Sequence, residues 1–493
     1  MNSYVDAFKD LTPDEQAEIN AIAARLEKQP EEEVISFPFT DLGNAERFVH
    51  QHKENIRYCA LHEAWFIWDG KRWKRDPGID VYFLARQTVR SIPKEAEQFE
   101  DGDRRAQVLK WAAKSESWSK IRDMVKLAQS DPTVTIEPEE FDRNPWLLNC
   151  LNGTLNLKTG TLQPHRREDL ITQICPVNYD SAATCHRWKQ FVSEIFCGNT
   201  ALMDYIQKVC GYFLTGSTKE QDFYIFYGTG ANGKSTFLKV MMDLLGPDYA
   251  KQTEANALLV KRHQTIGEEI AALTGARLIT TIEVEDGKRL AEALVKQLTG
   301  GDRVRTRTLY KSSFEFDPTF KLVMACNHKP RIAGTDDGIW RRIKLIPFTV
   351  HIPEHKQDPD LADKLKQELP GILNWALTGC LKWQKEGLIP PEEVDAATAV
   401  YRVESDLIGA FLEECTITDN QQAKTQVNDL YECYKSWIEA AGEHPLSMRK
   451  FGDRLRDRGF VCVASTGNRK YWLGIGLTAQ DSWTSLGREI DTP

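Results

Sequence analysis

The residues of this chain best suited to chemistry begin at Gly228. Gly228, Thr229, Gly230, Ala231, Asn232, Gly233, Lys234 and Ser235 fit the spacing GxxxxGK[ST], with Thr236 next, between the apolar run 223–227 and a helix-forming segment from Lys234 to Leu245. Glycines let a backbone wrap a phosphate closely, and exposed N–H groups at a helix N-terminus supply partial positive charge. Lys234 then reaches the β- and γ-phosphates, and the Ser235 hydroxyl is a ligand for Mg²⁺. The expected cofactors are ATP and Mg²⁺. Such a site also needs a carboxylate to hold the metal and polarise water, at the end of a neighbouring strand. The apolar run from Arg277 ends in Glu283, with Glu285 on the same face. Glu283 is the first candidate for metal and water, with Glu285 and Asp286 behind it.

Elements that position these groups are legible in the pattern. From about 185 to 407 helical and strand-like segments alternate: helices near 186–214, strands at 223–227, 277–283 and 321–327, and a helix from Lys234 stopped by Gly246-Pro247. That alternation predicts a parallel sheet covered by helices. Upstream, 37–184 reads as an α+β domain. Aromatic strands flank Asp69-Gly70, a helical stretch spans about 79–129, and hairpins surround Asn152-Gly153 and Thr159-Gly160. Trp65, Trp68 and Trp73 there, beside Lys71, Arg72, Lys74 and Arg75, suit either base stacking or a core. Downstream, 408–477 predicts helices at 427–441 and 447–458 and a hairpin 460–464/470–473 turned by Thr466-Gly467-Asn468, a winged-helix-like arrangement. Residues 1–36 form an acidic segment with a helix near 13–28, and 478–493 a frayed tail.

Further segments narrow the reading. Leu298-Thr299-Gly300-Gly301-Asp302 leads into Arg303, Arg305, Arg307, Tyr310 and Lys311; 321–327 ends in Asn327; and Gly338-Ile339-Trp340 precedes Arg341-Arg342. In this order and spacing the chain resembles superfamily 3 helicases, specifically the helicase part of phage and plasmid primase-helicases and their poxvirus-type relatives. Asn44, Arg47, Trp68-Asp69-Gly70 and Asn152-Gly153 extend the resemblance towards residue 40. It implies an α/β fold with an AAA+-like P-loop ATPase core, and an ATP-driven DNA helicase forming a hexameric ring and moving on single-stranded and forked DNA. It also implies that Asn327 orients water or senses the γ-phosphate, as an amide that donates and accepts at once is able to do. Arg342 is implied as a finger reaching the neighbouring subunit's nucleotide, with Arg341 a second phosphate contact. The 303–314 segment, free of acids, is implied as a hairpin gripping single-stranded DNA, Lys311 foremost; period-two spacing puts Arg303, Arg305 and Arg307 on one strand face. A solvated strand face is the alternative. Adjacent paired acids, common in relatives, are absent, since Val284 follows Glu283.

Composition fits this frame. The chain has 493 residues, 41% hydrophobic and 27% charged, as in ordinary globular domains. Its net charge of −9 is uneven: residues 1–36 carry nine acids against three bases, so local basic patches decide nucleic-acid binding. Between Ser447 and Lys470 seven bases meet two acids, suiting a phosphate-docking face. Eleven cysteines without a CxxC pair predict buried thiols rather than zinc. No uncharged stretch reaches the ~18 residues of a membrane span, so a cytoplasmic protein is expected, and the resemblance implies a bacterial host. Asp101 and Asp103 sit in a polar loop, not in a set of priming carboxylates; a separate primase or polymerase is a possible partner. A non-translocating initiator or loader would share the nucleotide site. A P-loop kinase would leave Asn327, the arginine pair and the basic hairpin without purpose.

Overall fold

The structure, a computed structural model, describes residues 37–260, 268–282, 287–307, 313–334, 336–465 and 469–478. The expected helix near 13–28, the acids Glu283, Glu285 and Asp286, the hairpin tip with Tyr310 and Lys311, the 466–468 turn and the tail from 479 lie outside these residues. Packing divides the chain into two compact units, one up to residue 140 except for 70–72, the other comprising 70–72 and everything from 141. The division expected at 184 follows the change in sequence pattern; the one at 140 follows packing.

In the first unit, α1 (Asp41–His52) starts where the Thr40 hydroxyl accepts from the Gly43 amide at 3.0 Å. Strands β1 (Ile56–Cys59), β2 (Ala64–Trp68) and β3 (Trp73–Arg75) form an antiparallel sheet. Helices α2 (Asp80–Ser91), α3 (Gly102–Ser115) and α4 (Trp118–Ala128) follow, so the helical stretch 79–129 is several helices. Trp65 and Trp73 are buried, which answers the aromatic hairpin in favour of a core. Asn44 and Arg47 are also interior: Asn44 accepts from the Trp111 indole at 2.9 Å, and Arg47 pairs with Glu95 at 2.7 Å. Asp101 caps α3 by accepting from the Asp103 amide.

The second unit opens with β4 (Leu147–Cys150), β5 (Gly153–Asn156) and β6 (Thr161–Gln163), an antiparallel meander as predicted. Two helices, α5 (His186–Ile195) and α6 (Thr200–Phe213), precede the central sheet. Its strands are β7 (Phe223–Tyr227), β8 (Ala250–Glu254), β9 (Leu278–Ile282), β12 (Lys321–Cys326) and β13 (Ile343–Pro347), with β10 (Val304–Arg307) and β11 (Ser313–Phe316) forming a separate antiparallel hairpin. All neighbours in the sheet are parallel, in the order β13-β7-β12-β9-β8. Strands covered on both faces must be apolar throughout, and the alternation shows it: Tyr224 and Phe226 enter one core, Phe223 and Ile225 the other. Leu148, Leu155 and Leu157 of the meander join the first of these cores. The helix α7 (Lys234–Tyr249) breaks regularity at Gly246 (φ 71°, ψ 174°), where Gly-Pro was expected to stop it.

Beyond the sheet, α8 (Glu392–Glu404), α9 (Leu407–Cys415), α10 (Val427–Ala440) and α11 (Met448–Asp457) lead to a small sheet. There Lys470–Leu473 pairs antiparallel with both Val461–Ala464 and Lys424–Gln426. Phe411, Leu430, Tyr434, Phe451 and Trp472 make its core. Eight of the eleven cysteines are buried. Among the described residues no helix is long and apolar enough to cross a membrane.

Candidate nucleotide and nucleic-acid sites

The glycine-rich loop leaves β7 at Gly228 and enters α7 at Lys234. A Cβ at Gly228 would collide with the Asn232 amide and the Phe348 carbonyl, so no larger residue fits. Gly233, at φ 84°, turns the chain into the helix and would place a Cβ against Ile195 and Phe191. Asn232 is buried and donates to the Phe348 carbonyl at 3.2 Å, fastening the loop to the end of β13. Thr229, Ala231 and Ser235 are exposed, with Gly230 and Thr236 half-buried.

Lys234 is only 5% exposed. Its ammonium donates to the Gly228 carbonyl (2.6 Å), the Asn232 Oδ1 (3.1 Å) and the Asn327 Oδ1 (3.3 Å). Burial holds its pKa below the ordinary lysine value. A cation curled onto its own loop by neutral acceptors, beside a helix N-terminus, is ready to exchange them for anionic oxygens. Asn327 meets it because β12 lies between β7 and β9 in the sheet. Strand β9 lies on the far side of β12 from the loop strand; Glu283, the next residue in the sequence, lies outside the described residues. The donors suit ATP and Mg²⁺: Ser235 offers a hydroxyl at the helix start, and among the described residues no cluster of three carboxylate, His or Cys groups forms a cage. Mg²⁺ bound through one or two protein groups plus phosphates and water needs no cage.

The arginine pair divides. Arg342 is buried, its Nε donating to the Thr299 hydroxyl at 3.2 Å and its Nη1 to the Gly338 carbonyl. Arg341 is exposed and donates to Gln221 Oε1 at 2.7 Å. Of the two, Arg341 is the one whose side chain lies at the surface.

On the hairpin, Val304 and Thr306 are buried while Arg303 and Arg305 are exposed, the period-two division expected. The return strand carries acids that a reading of 303–314 leaves out. Arg303 lies 3.4 Å from Asp317, and Arg305 stands opposite Glu315 in the register. Arg307 is the last residue of β10, opposite Ser313. Extending the alternation by one strand would have found both acids. Of the C-terminal bases, Arg456 pairs with Asp453 at 2.6 Å, Arg458 pairs with Asp406, and Arg454 donates to the Ala333 carbonyl at 3.1 Å.

The sequence matches three family patterns in succession: D5 N terminal like over residues 45–197, a family of unknown function (DUF5906) over 226–342, and poxvirus D5 protein-like over 403–458. By these matches the chain is similar to D5-type primase-helicases, relatives of superfamily 3 helicases. D5-type relatives include the putative helicase L207/L206 of Acanthamoeba polyphaga mimivirus, 28% identical over 61% of this chain and 34% of that protein. The putative helicase 121R of Invertebrate iridescent virus 3 is 26% identical over 60% and 35%. The putative primase C962R of African swine fever virus is 25% identical over 61% and 34%. This chain therefore spans about a third of the length of the curated relatives it matches. Among solved structures, the apo C-terminal region of NrS-1 aligns over 88% of this chain and 99% of that one, with a TM-score of 0.50 at 11% identity, a likeness of fold alone.

Proposed function

We propose that this chain is the motor of a DNA-replication helicase of a virus, phage, plasmid or related mobile element, hydrolysing ATP in a ring, hexameric by resemblance, to move along single-stranded DNA and open forks. The observation that carries it is Lys234 held 3.3 Å from Asn327 across neighbouring parallel strands: a phosphate-binding cation and a water-orienting amide converge at one strand end. Lys234 leaves its loop acceptors for the β- and γ-oxygens, the N–H groups around Gly233 take the phosphate charge, and Asn327 orients the attacking water. Ser235 and Glu283 would hold Mg²⁺, which would neutralise phosphate charge. Arg341, exposed where Arg342 is not, is the finger for the neighbouring subunit's nucleotide. The hairpin tip, with Arg307, Tyr310 and Lys311, grips the strand, because Arg303 and Arg305 face acids. The C-terminal helices and small sheet act as a winged-helix-like docking element, and a primase or polymerase works alongside.

Lys234→Ala and Arg341→Ala chains, each inactive alone, are expected to regain ATP hydrolysis when mixed, since a wild-type loop then meets a wild-type finger in part of the ring. Mixed rings that form and hydrolyse nothing would reject the shared site. ATP-dependent displacement of a forked strand separates this reading from a stationary loader.

A further inference from the structure

The segment after Asn327 is grasped from two sides. From the ATPase core, Glu292 accepts the Ala333 and Gly334 amides at 3.0 Å, the Trp340 indole donates to the Gly334 carbonyl at 2.8 Å, and Lys296 pairs with Asp336 at 2.8 Å. Elements past the sheet hold the other side. Within α8, Glu404 pairs with Lys329, the Tyr401 hydroxyl donates to the Pro330 carbonyl, and Arg402 pairs with Asp337 at 2.7 Å. Glu443, just past α10, pairs with Arg331, and Arg454 of α11 donates to the Ala333 carbonyl. Lys329 also lies over the ring of Tyr227, the last residue before the phosphate loop, at 5.0 Å.

This segment joins the two groups the nucleotide site most needs placed: Asn327 at one end and Arg341 at the other. It is held by α11, whose outer side exposes Arg449 and Lys450, with Arg456 there paired to Asp453. Phosphates drawn to that basic side would pull on the same short helix that carries Arg454. A change there has a direct covalent and hydrogen-bonded route to the segment, and a coupling of this kind is a free energy shared by two sites.

We infer that Glu443 and Arg454 are positioning residues through which the C-terminal fold sets the rate of ATP hydrolysis and makes it responsive to DNA. They touch no reacting atom; they hold residues 328–334 so that Asn327 and Arg341 stand correctly at once. The inference rests on the proposed ATPase, and deepens it by naming a regulatory input.

The test uses the full chain and a single-stranded oligonucleotide, with steady-state hydrolysis measured with and without DNA. Arg454→Ala and Glu443→Ala are expected to lower the DNA-stimulated kcat about five- to tenfold with KM for ATP unchanged, because the phosphate loop is untouched. Arg454→Lys, which keeps a donor for the Ala333 carbonyl, recovers part of the stimulation. Arg331→Ala combined with Glu443→Ala costs no more than either alone if the pair acts as a unit. Melting temperatures of the variants serve as the control for folding. Variants that melt like the parent and retain its stimulated kcat overturn the inference while leaving the motor intact. A parent chain without DNA-stimulated hydrolysis overturns the motor reading, and the inference falls with it.

Discussion

Arg341 and Arg342 are neighbours in sequence with opposite environments. A buried guanidinium needs its donors matched, and Arg342 finds Thr299 and Gly338 within its own chain. Removing it leaves those acceptors unanswered and a cavity behind, so Arg342→Ala is expected to destabilise the chain by about 2 kcal/mol, visible as a lower melting temperature. Arg341→Ala leaves melting unchanged and abolishes hydrolysis in assembled rings. The reverse pattern would restore the finger to Arg342. Sequence alone has no means of dividing the pair, because which side chain turns inward depends on the helix turn 337–340 and on where Thr299 stands across from it.

At the scale of elements, the β10–β11 hairpin is readable from alternation, but its charge balance emerges only when the returning strand and the residue after it, with Glu315 and Asp317, are read together with the first. An exposed paired arginine contributes little free attraction for phosphate. Lys311→Ala is therefore expected to weaken single-strand binding and reduce its salt slope by about one unit, while Arg303→Ala changes both little; fluorescence anisotropy at several salt concentrations reads the difference. Strand β7 carries a second consequence at its start. Asp222 is buried, 3.7 Å from Lys344, and accepts from the Tyr224 hydroxyl at 3.1 Å. Burial, outweighing Lys344, pushes its carboxyl up to about 7 from an ordinary 3.8. A carboxyl that binds its proton more tightly when folded favours the fold below 3.8 and loses that advantage as pH rises through 7. Asp222→Asn, neutral at every pH, should therefore raise the melting temperature by about 2–4 °C at pH 8 and by less at pH 5.

For the whole molecule, the order β13-β7-β12-β9-β8 decides the function proposed. It puts β12 beside the phosphate-loop strand, so Asn327 faces Lys234, and it puts β13 on the other flank, so the Phe348 carbonyl can fasten Asn232. The finger role proposed for Arg341 requires a second chain whose nucleotide it serves, so the proposal stands or falls with assembly. Size-exclusion with light scattering is expected to show multimers in the presence of ATP and DNA, and a chain that remains monomeric while hydrolysing ATP at full rate would remove the ring.

What the amino-acid order determined alone was the local: the phosphate loop, the helix broken at Gly246, the strands that must be covered on both faces, and the hairpin's alternation. These follow from backbone conformation and short-range periodicity, which the chain carries within a few residues. What only the tertiary structure decided was the pairing of distant groups: Lys234 with Asn327, Arg303 with Asp317, Arg342 buried against Thr299, and Arg454 on the segment beyond Asn327. Strand order and burial choose those partners, and neither is written in the spacing of residues along one segment.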